Sequence, residues 1–489
     1  MTPGSPLRRM LVASVIATGA CLLAADLPDR LMAGAAMAAA RPPVAGDWQG
    51  ELNAGGRVLR VVLHVIQNDD GTWRGTIDSP DQAAIGIRLD RLTVSPDSLG
   101  FAHDGSDMAF SGRFNETGQD IVGAFKQAGT SFPLTLKKTA KAVIVRKPQE
   151  PQPPFPYVSQ DITYTNPKAG IVLAGTLTTP SAGGPFPALI LINGSGSQDR
   201  DCNLFGHKPF LLMADSLTRR GFAVLRVDDR GIGGSGGDAG TVTTPDSATD
   251  VAAGLAYLQS RPDIDRARIG LVGHSEGSLI GSMVAASTKA IAAFVMIGGP
   301  GLPGETILLK QGDVLNRMAG ASSAEAEASH KLQQSLFAIV KSEADPEIAQ
   351  AKLSAVLHVL MAKEGRSEDA KAGAAVEAQV RALSSPWYRY FLGYDPRPEL
   401  AKVTCPVLAL NGEKDLQVNA KDNLESISQT LKKAGNADVT VQTLPGLNHL
   451  LQTAGTGMPS EYGTLTETMA PAALESIGQW LTTRLGKTP

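Results

Sequence analysis

Residues Gly273-His274-Ser275-Glu276-Gly277 stand between an apolar run, residues 268–272, and a run with helical patterning, residues 278–286. Glycine two positions either side of a serine suits a sharp strand-to-helix turn, which pushes the serine oxygen beyond the sheet edge and aims helix N-terminal N–H groups at it. Ser275 is therefore the candidate nucleophile. A second match, Gly233 to Gly237 around Ser235, lies in the glycine-rich stretch 228–237 with no helical pattern behind it. In a chain with 52 glycines such a match arises readily by chance, so Ser235 reads as a loop residue.

A serine hydroxyl is a poor nucleophile near neutral pH; it needs an imidazole to take its proton and a carboxylate to hold the imidazole tautomer. With a nucleophile on a strand-to-helix turn, the expected chain order is serine, acid, histidine. Of seven histidines, His330, His358 and His449 follow Ser275 at a useful distance. The first two lie in a helix-patterned stretch, whereas His449 follows a strand-like run directly and sits where the base is expected. Residues 408–415 offer Glu413 and Asp415 as the acid. Asp415 is preferred, with Glu413 read as a solvated loop charge. Acyl transfer also needs N–H donors where the oxyanion forms: the amide of Glu276 is one candidate, and the amide of Ser195, with Gly196 as the alternative, is the other.

These residues need a scaffold, and from Phe186 onward strands and helices alternate. Strand-like runs span 186–192, 223–227, 269–273, 292–297, 406–410 and 439–444. Helix-like runs end near Arg220 and Leu485, span 246–259 and 418–433, and start at Glu276. Such alternation demands a mostly parallel sheet with helices on both faces, whose sites lie at the strands' carboxyl ends. Ser275, Asp415 and His449 all fall there. Between Gly301 and Val403 the alternation gives way to helical spacing rich in Ala, Glu, Lys, Gln and Ser, an insertion expected to cap the serine. Ahead of the sheet, residues 46–138 show short alternating runs separated by turn residues, with recurring aromatic-glycine elements at Trp48, Trp73, Phe114 and Phe125; this reads as an antiparallel barrel or sandwich with a structural or docking role. The expected domains are a signal peptide (1–40), an N-terminal antiparallel β domain (41–146), a Pro-rich linker (147–158) and a catalytic domain (159–489) with the helical insertion at about 302–402.

At 489 residues and a net charge of −3 the chain exceeds one ordinary core and has no Lys/Arg-rich run for a polyanion, which argues against a nucleic-acid partner. Arg8-Arg9, an apolar segment from Met10 to Ala25 and small residues 33–40 read as an export signal cleaved near residues 38–40, with no integral membrane span in the mature form. Periplasmic or secreted localisation is expected. Cys21 is a weaker lipidation site, because Thr18 stands where an aliphatic residue is usual. After processing, Cys202 and Cys405 remain and read as isolated buried thiols.

With residues 193–201, 228–231, 273–277, 385–391, 411–415 and 447–449 in view, the chain resembles the exported bacterial α/β-hydrolase esterases of the EstD-like branch, kin to dienelactone hydrolases and prolyl-oligopeptidase-type catalytic domains. The resemblance covers most of residues 40–485. It implies an α/β-hydrolase fold, mostly parallel with a helical cap insertion and preceded by the small antiparallel β domain. It also implies a carboxylesterase with a Ser275, Asp415, His449 triad, a small-molecule ester substrate, no metal and no cofactor. Asn193 departs from the pattern, standing where such relatives carry histidine. The alternatives are an acyl-CoA thioesterase or a serine peptidase using the same triad, and an envelope-binding protein with residual hydrolase activity. Acyl and alcohol specificity, the physiological substrate and the oligomeric state are not legible.

Overall fold

In the computed structural model the described residues are 44–54, 57–67, 71–79, 84–103, 108–127, 130–140, 147–363, 365 and 370–486. The export signal, its cleavage site and Cys21 lie outside them. The described residues form two compact units, one of residues 44–147 with 203–207 and the other of residues 148–202 with 208–486. Among the described residues no helix is long and apolar enough to cross a membrane.

The first unit consists of β1 (Gly46–Ala54), β2 (Arg57–Gln67), β3 (Trp73–Ser79), β4 (Ala84–Arg88), β5 (Arg91–Val94), β6 (Ser98–His103), β7 (Met108–Phe114), β8 (Asp120–Gln127) and β9 (Thr130–Thr139). These nine strands are ordered β4-β3-β2-β1-β9-β8-β7-β6-β5, each antiparallel to its neighbour. The strands at the two ends of that order are separated in the chain by residues 89 and 90 alone. Leu89 donates its N–H to the Gly75 carbonyl on β3 and Asp90 donates to the Ala102 carbonyl on β6. β4 and β5 are thus the two halves of one bent strand, paired with β3 at one end and with β6 at the other, and the sheet closes into a barrel, which removes the edge an open sheet would expose. Trp48, Leu63, Leu99, Phe101, Phe110, Ile121 and Leu136 fill its interior. His64 on β2 lies between Asp47, 2.7 Å from Nδ1, and Asp78, 3.0 Å from Nε2. The hydrogen bond to Asp78, with help from Asp47 and against partial burial, raises His64 to about 9.

The second unit is built on an eight-stranded sheet of β10 (Tyr157–Asn166), β11 (Ile171–Pro180), β12 (Phe186–Ile192), β13 (Ala223–Val227), β14 (Ile264–His274), β15 (Ile291–Ile297), β16 (Val407–Gly412) and β17 (Val439–Leu444), ordered β10-β11-β13-β12-β14-β15-β16-β17. From β13 to β17 every pairing is parallel. The central strand β12 is buried at all seven positions, as a continuous apolar run flanked by helices on both faces must be. The antiparallel hairpin β10–β11 precedes the alternation read from the sequence and extends the sheet beyond β13. Helices α1 (Pro209–Arg219), α2 (Thr244–Ser260) and α3 (Glu276–Ser287) follow β12, β13 and β14.

Between β15 and β16 the sheet is interrupted by α4 (Gly304–Met318), α5 (Ser323–Ser342), α6 (Pro346–Lys363), α7 (Ala370–Ser384), α8 (Pro386–Gly393) and α9 (Arg397–Leu400). Ser322 and Glu325 form a capping box that starts α5, and the Ser385 hydroxyl caps α8. Leu308, Leu336, Phe337, Leu353, Tyr388 and Phe391 of this insertion share one apolar cluster with Leu279 of α3. The insertion is therefore seated on the first turn of the helix that follows Ser275. Two more helices, α10 (Ala420–Lys433) and α11 (Pro471–Leu485), complete the layers.

Candidate active site

Ser275 lies between β14 and α3 with φ 54° and ψ −121°, a backbone conformation that non-glycine residues avoid and that tends to persist at functional turns. The turn is tight on both sides. A Cβ at Gly273 would strike the Gly277 carbonyl, and one at Gly277 would strike the Ile192 carbonyl at the end of β12, so the two glycines of the pentapeptide are steric requirements. Ser275 itself is half-buried, and its N–H is fixed by the Ile297 carbonyl at 2.7 Å.

Asp415 and His449 sit on the loops after β16 and β17. The Asp415 Oδ2 lies 2.7 Å from His449 Nδ1, with both side chains almost wholly enclosed. The other carboxylate oxygen accepts the backbone N–H groups of Gln417 and Val418 at 2.9 and 2.8 Å, which leaves Asp415 little freedom to turn away. The histidine loop is held from within: the buried Asn448 side chain donates to Gln452 Oε1 and accepts the N–H groups of Leu450 and Gln452. An imidazole bonded to a carboxylate through Nδ1 keeps Nε2 as its basic atom, and such an atom can take and return a proton.

His274, the residue before Ser275, reaches the same loop. Its Nε2 lies 3.0 Å from the His449 carbonyl and the two rings are 4.8 Å apart. Burial, with His449 adding, lowers His274 to about 3. It is therefore neutral, with the proton on Nε2 that donates to the His449 carbonyl. Sequence reasoning assigned His274 no part, because its partner lies 175 residues away.

The loop after β12 passes close to the serine: a Cβ at Gly194 would stand 3.1 Å from the Ser275 Cβ. The side chain of Ser195, next in the chain, lies close enough to the Glu276 carboxylate to help hold its pKa down. Glu276 is buried and also accepts the Thr244 hydroxyl and the Trp387 indole N–H, each at 2.7 Å. Burial raises its carboxyl, while these donors pull the other way. Thus the insertion is tied through Trp387 to Glu276, one of the two residues proposed from the sequence as amide donors.

The remaining candidates fall elsewhere. Ser235 is buried and structural, donating to the Asp228 carbonyl at 2.7 Å and accepting the Ala174 N–H at 2.9 Å. Glu413 accepts the Gly446 N–H at 2.9 Å on an exposed part of the histidine loop. His330 pairs with Asp313 within the insertion and His358 bonds the Ser354 carbonyl of its own helix. Cys202 and Cys405 are free and buried. Asp229, whose carboxyl burial pushes up while the N–H groups it accepts from Asn193 and Gln198 hold it down, lies on the loop after β13 and was passed over by sequence reading; its place in residues 228–231 was the available signal.

The sheet is mostly parallel, a strained serine turn ends its fifth strand in spatial order, and a carboxylate-held histidine follows its eighth. The sequence model of the Alpha/beta hydrolase family matches residues 189–457, more than half of the 489 residues, and the chain belongs to that family. Esterase EstD of Thermotoga maritima is 26% identical over 311 residues, 63% of this chain and 64% of that protein, so the chain spans less than two thirds of that relative's length. The uncharacterized protein PA2218 of Pseudomonas aeruginosa is 30% identical over 116 residues, 23% of this chain and 29% of that protein. Among solved structures, the esterase Pf2001 of Pyrococcus furiosus has 15% identity and a TM-score of 0.41, covering 71% of this chain and 100% of that one.

Proposed function

We propose that this protein is a serine hydrolase that cleaves small carboxylic esters through an acyl-serine intermediate. The single observation that carries the reading is the enclosed Asp415–His449 pair on loops that meet the residue preceding Ser275. In the proposed reaction His449 Nε2 takes the Ser275 proton as Oγ attacks the ester carbonyl. The imidazolium, stabilised by Asp415, then protonates the departing alcohol. Water, activated by the same imidazole, attacks the acyl-serine and releases the acid. The amides of Ser195 and Glu276 are the proposed donors to the oxyanion in both steps. The printed name of the Thermotoga relative, an esterase, supports ester chemistry for the stretch it shares with this chain.

A peptidase with the same triad would need a group to hold a substrate amine, and Glu276 is the nearest carboxylate to consider. Its two donors from Thr244 and Trp387 occupy it and burial encloses it, which favours esters over peptides. Export to the periplasm or beyond is part of the same proposal and rests on residues 1–40. The test is a panel of p-nitrophenyl esters, acyl thioesters and aminoacyl arylamides assayed with the full chain. Highest kcat/KM on the esters is expected; highest kcat/KM on arylamides or thioesters would overturn the assignment.

A further inference from the structure

Residues 193–198 run from the end of β12 past Ser275, and the proposed esterase reaction, on which this inference rests, assigns them an oxyanion donor. Both ends of the segment are gripped by one side chain from another loop. Asp229, which follows β13, accepts the Asn193 side-chain amide at 3.1 Å through Oδ1 and the Gln198 backbone N–H at 2.9 Å through Oδ2. Its own N–H donates to the Gln198 carbonyl at 3.0 Å. The Asn193 amide also donates to the Asp199 carbonyl at 3.3 Å, just beyond the segment. Between those fixed ends lie Gly194, where an added Cβ would crowd the Ser275 Cβ at 3.1 Å, and Ser195, whose side chain lies near the Glu276 carboxylate.

The neighbouring carboxylate has a different task. Asp228 takes the Arg200 guanidinium, with Nη2 at 2.7 Å and Nε at 3.1 Å, and the Arg200 backbone N–H at 2.8 Å. The two partners described for Asp229 are instead N–H groups at the two ends of the donor loop. Carboxylates accepting amides in an enclosed setting make short, directional contacts, and oxyanion stabilisation depends on where the amide stands to within a fraction of an ångström.

We propose that Asp229 and Asn193 form a positioning pair that sets the loop bearing the oxyanion donor, so that turnover at Ser275 depends on a contact neither residue makes with the substrate. The pair also gives the departure at position 193 a physical meaning: an asparagine there supplies a donor to Asp229 without adding charge beside Glu276 and Asp228.

The test exchanges donor and acceptor. Asn193→Asp sets two carboxylates against each other; Asp229→Asn brings an NH2 that must face either the Gln198 N–H or the Asn193 side chain, which can accept it only by flipping away from the Asp199 carbonyl; and the double variant restores an amide-to-carboxylate bond while the new residue 229 still offers an oxygen to the Gln198 N–H. Each single variant is expected to lose about tenfold to hundredfold in kcat, less than the loss of an oxyanion donor outright, with KM nearly unchanged. The double variant should recover at least about tenfold over Asn193→Asp, since paired sites are non-additive. Affinity for a trifluoromethyl ketone, which forms a tetrahedral oxyanion on serine, should fall with kcat/KM in the single variants and return in the double. A merely structural role would lower melting temperature without this parallel. Single variants with parental kcat, a double variant as poor as Asn193→Asp, or unchanged ketone affinity would overturn the pair. If a single variant does not fold, the double variant decides: recovered folding, turnover and ketone affinity support the pair, and failure to recover any of them overturns it. A parent chain that neither turns over esters nor labels with a fluorophosphonate at Ser275 removes the underlying reading, whereas an active parent matched by its variants removes the positioning pair alone.

Discussion

Ser235 and Ser275 occupy the same pentapeptide pattern, and what separates them is what each hydroxyl and backbone is engaged in. The Ser235 hydroxyl is spent inside the fold, bridging the Asp228 carbonyl and the Ala174 N–H. Ser275 is held instead by its backbone, in a strained turn that two glycines make room for. Ser275→Ala should therefore remove turnover by on the order of a millionfold and abolish fluorophosphonate labelling; a labelled variant would refute the nucleophile. Ser235→Ala should keep labelling and kcat but leave the Ala174 N–H without its partner, at a cost of about 1–3 kcal/mol in stability, read as a lowered melting temperature. A similar contrast separates the two acids. Asp415 meets His449 at Nδ1 while Glu413 meets only the Gly446 N–H, so Asp415→Asn should lower kcat by about 10⁴-fold, as the loss of the orienting carboxylate does elsewhere, and Glu413→Gln by little. Steady-state kinetics that rank the two the other way would move the acid to Glu413.

The insertion of α4–α9 meets Glu276 through α8, and Trp387 of that helix is the candidate wall for an acyl chain on Ser275. Trp387 is fixed at two places, by its N–H on Glu276 and by its ring stacked on Phe391 at 5.3 Å, so it cannot swing aside as a loosely held side chain would. An acyl chain under such a wall gains roughly 0.8 kcal/mol per methylene only until the space is full. The expected optimum for p-nitrophenyl esters is about two to six carbons, a size that enclosed aromatic pockets favour, and Trp387→Ala should move it to longer chains. A palmitate optimum in the parent, or an unmoved profile in the variant, would reject this. How far the elements could be read beforehand follows from the same geometry. β12 and β15 were legible because buried parallel strands are nearly unbroken apolar runs between turn residues. The hairpin β10–β11 was not, because β10 is exposed on one side and its long polar stretch, residues 158–161, resembles a linker. Asp415 and His449 were legible from chain order and from their positions after strands. The parts of the site that depend on distant partners were not: Glu276 with Trp387, 111 residues apart, and Asp229 with Asn193. Likewise the choice between barrel and sandwich turned on residues 89 and 90, whose pairing with both edges no local pattern announces.

Among the described residues, each unit contains a histidine whose pKa folding shifts, and His64 and His274 act in opposite directions. In the hydrolase unit His274 is lowered to about 3 by burial and by His449, against roughly 6.5 when unfolded. The unfolded chain then binds the extra proton, so this contribution is intact above about 6.5 and is lost as pH falls toward 3. In the barrel His64 is raised to about 9 by its bond to Asp78 and by Asp47. There the folded state holds the proton, so the stabilisation is complete below about 6.5 and disappears as pH rises through 9. Hydrogen exchange on the full chain, followed by mass spectrometry and corrected for intrinsic rates, reads the units separately through their own peptides. Each measurement is taken as the difference between the parent and a histidine-to-glutamine variant, so that other titrating groups, Asp229 among them, cancel. The His64→Gln difference should be largest at pH 6 in peptides of β1–β3 and shrink by pH 9, because glutamine can bond one aspartate but cannot supply the charge that both share. The His274→Gln difference in peptides of β14 and the His449 loop should run the other way, the parent losing protection relative to the variant as pH falls below 6.5. A His64 difference that stays constant from pH 6 to 9 would mean that His64 is not charged between its two aspartates. A His274 difference that is flat below pH 6.5 would mean that its ring takes up a proton in place, and burial beside His449 would then not be what keeps it neutral.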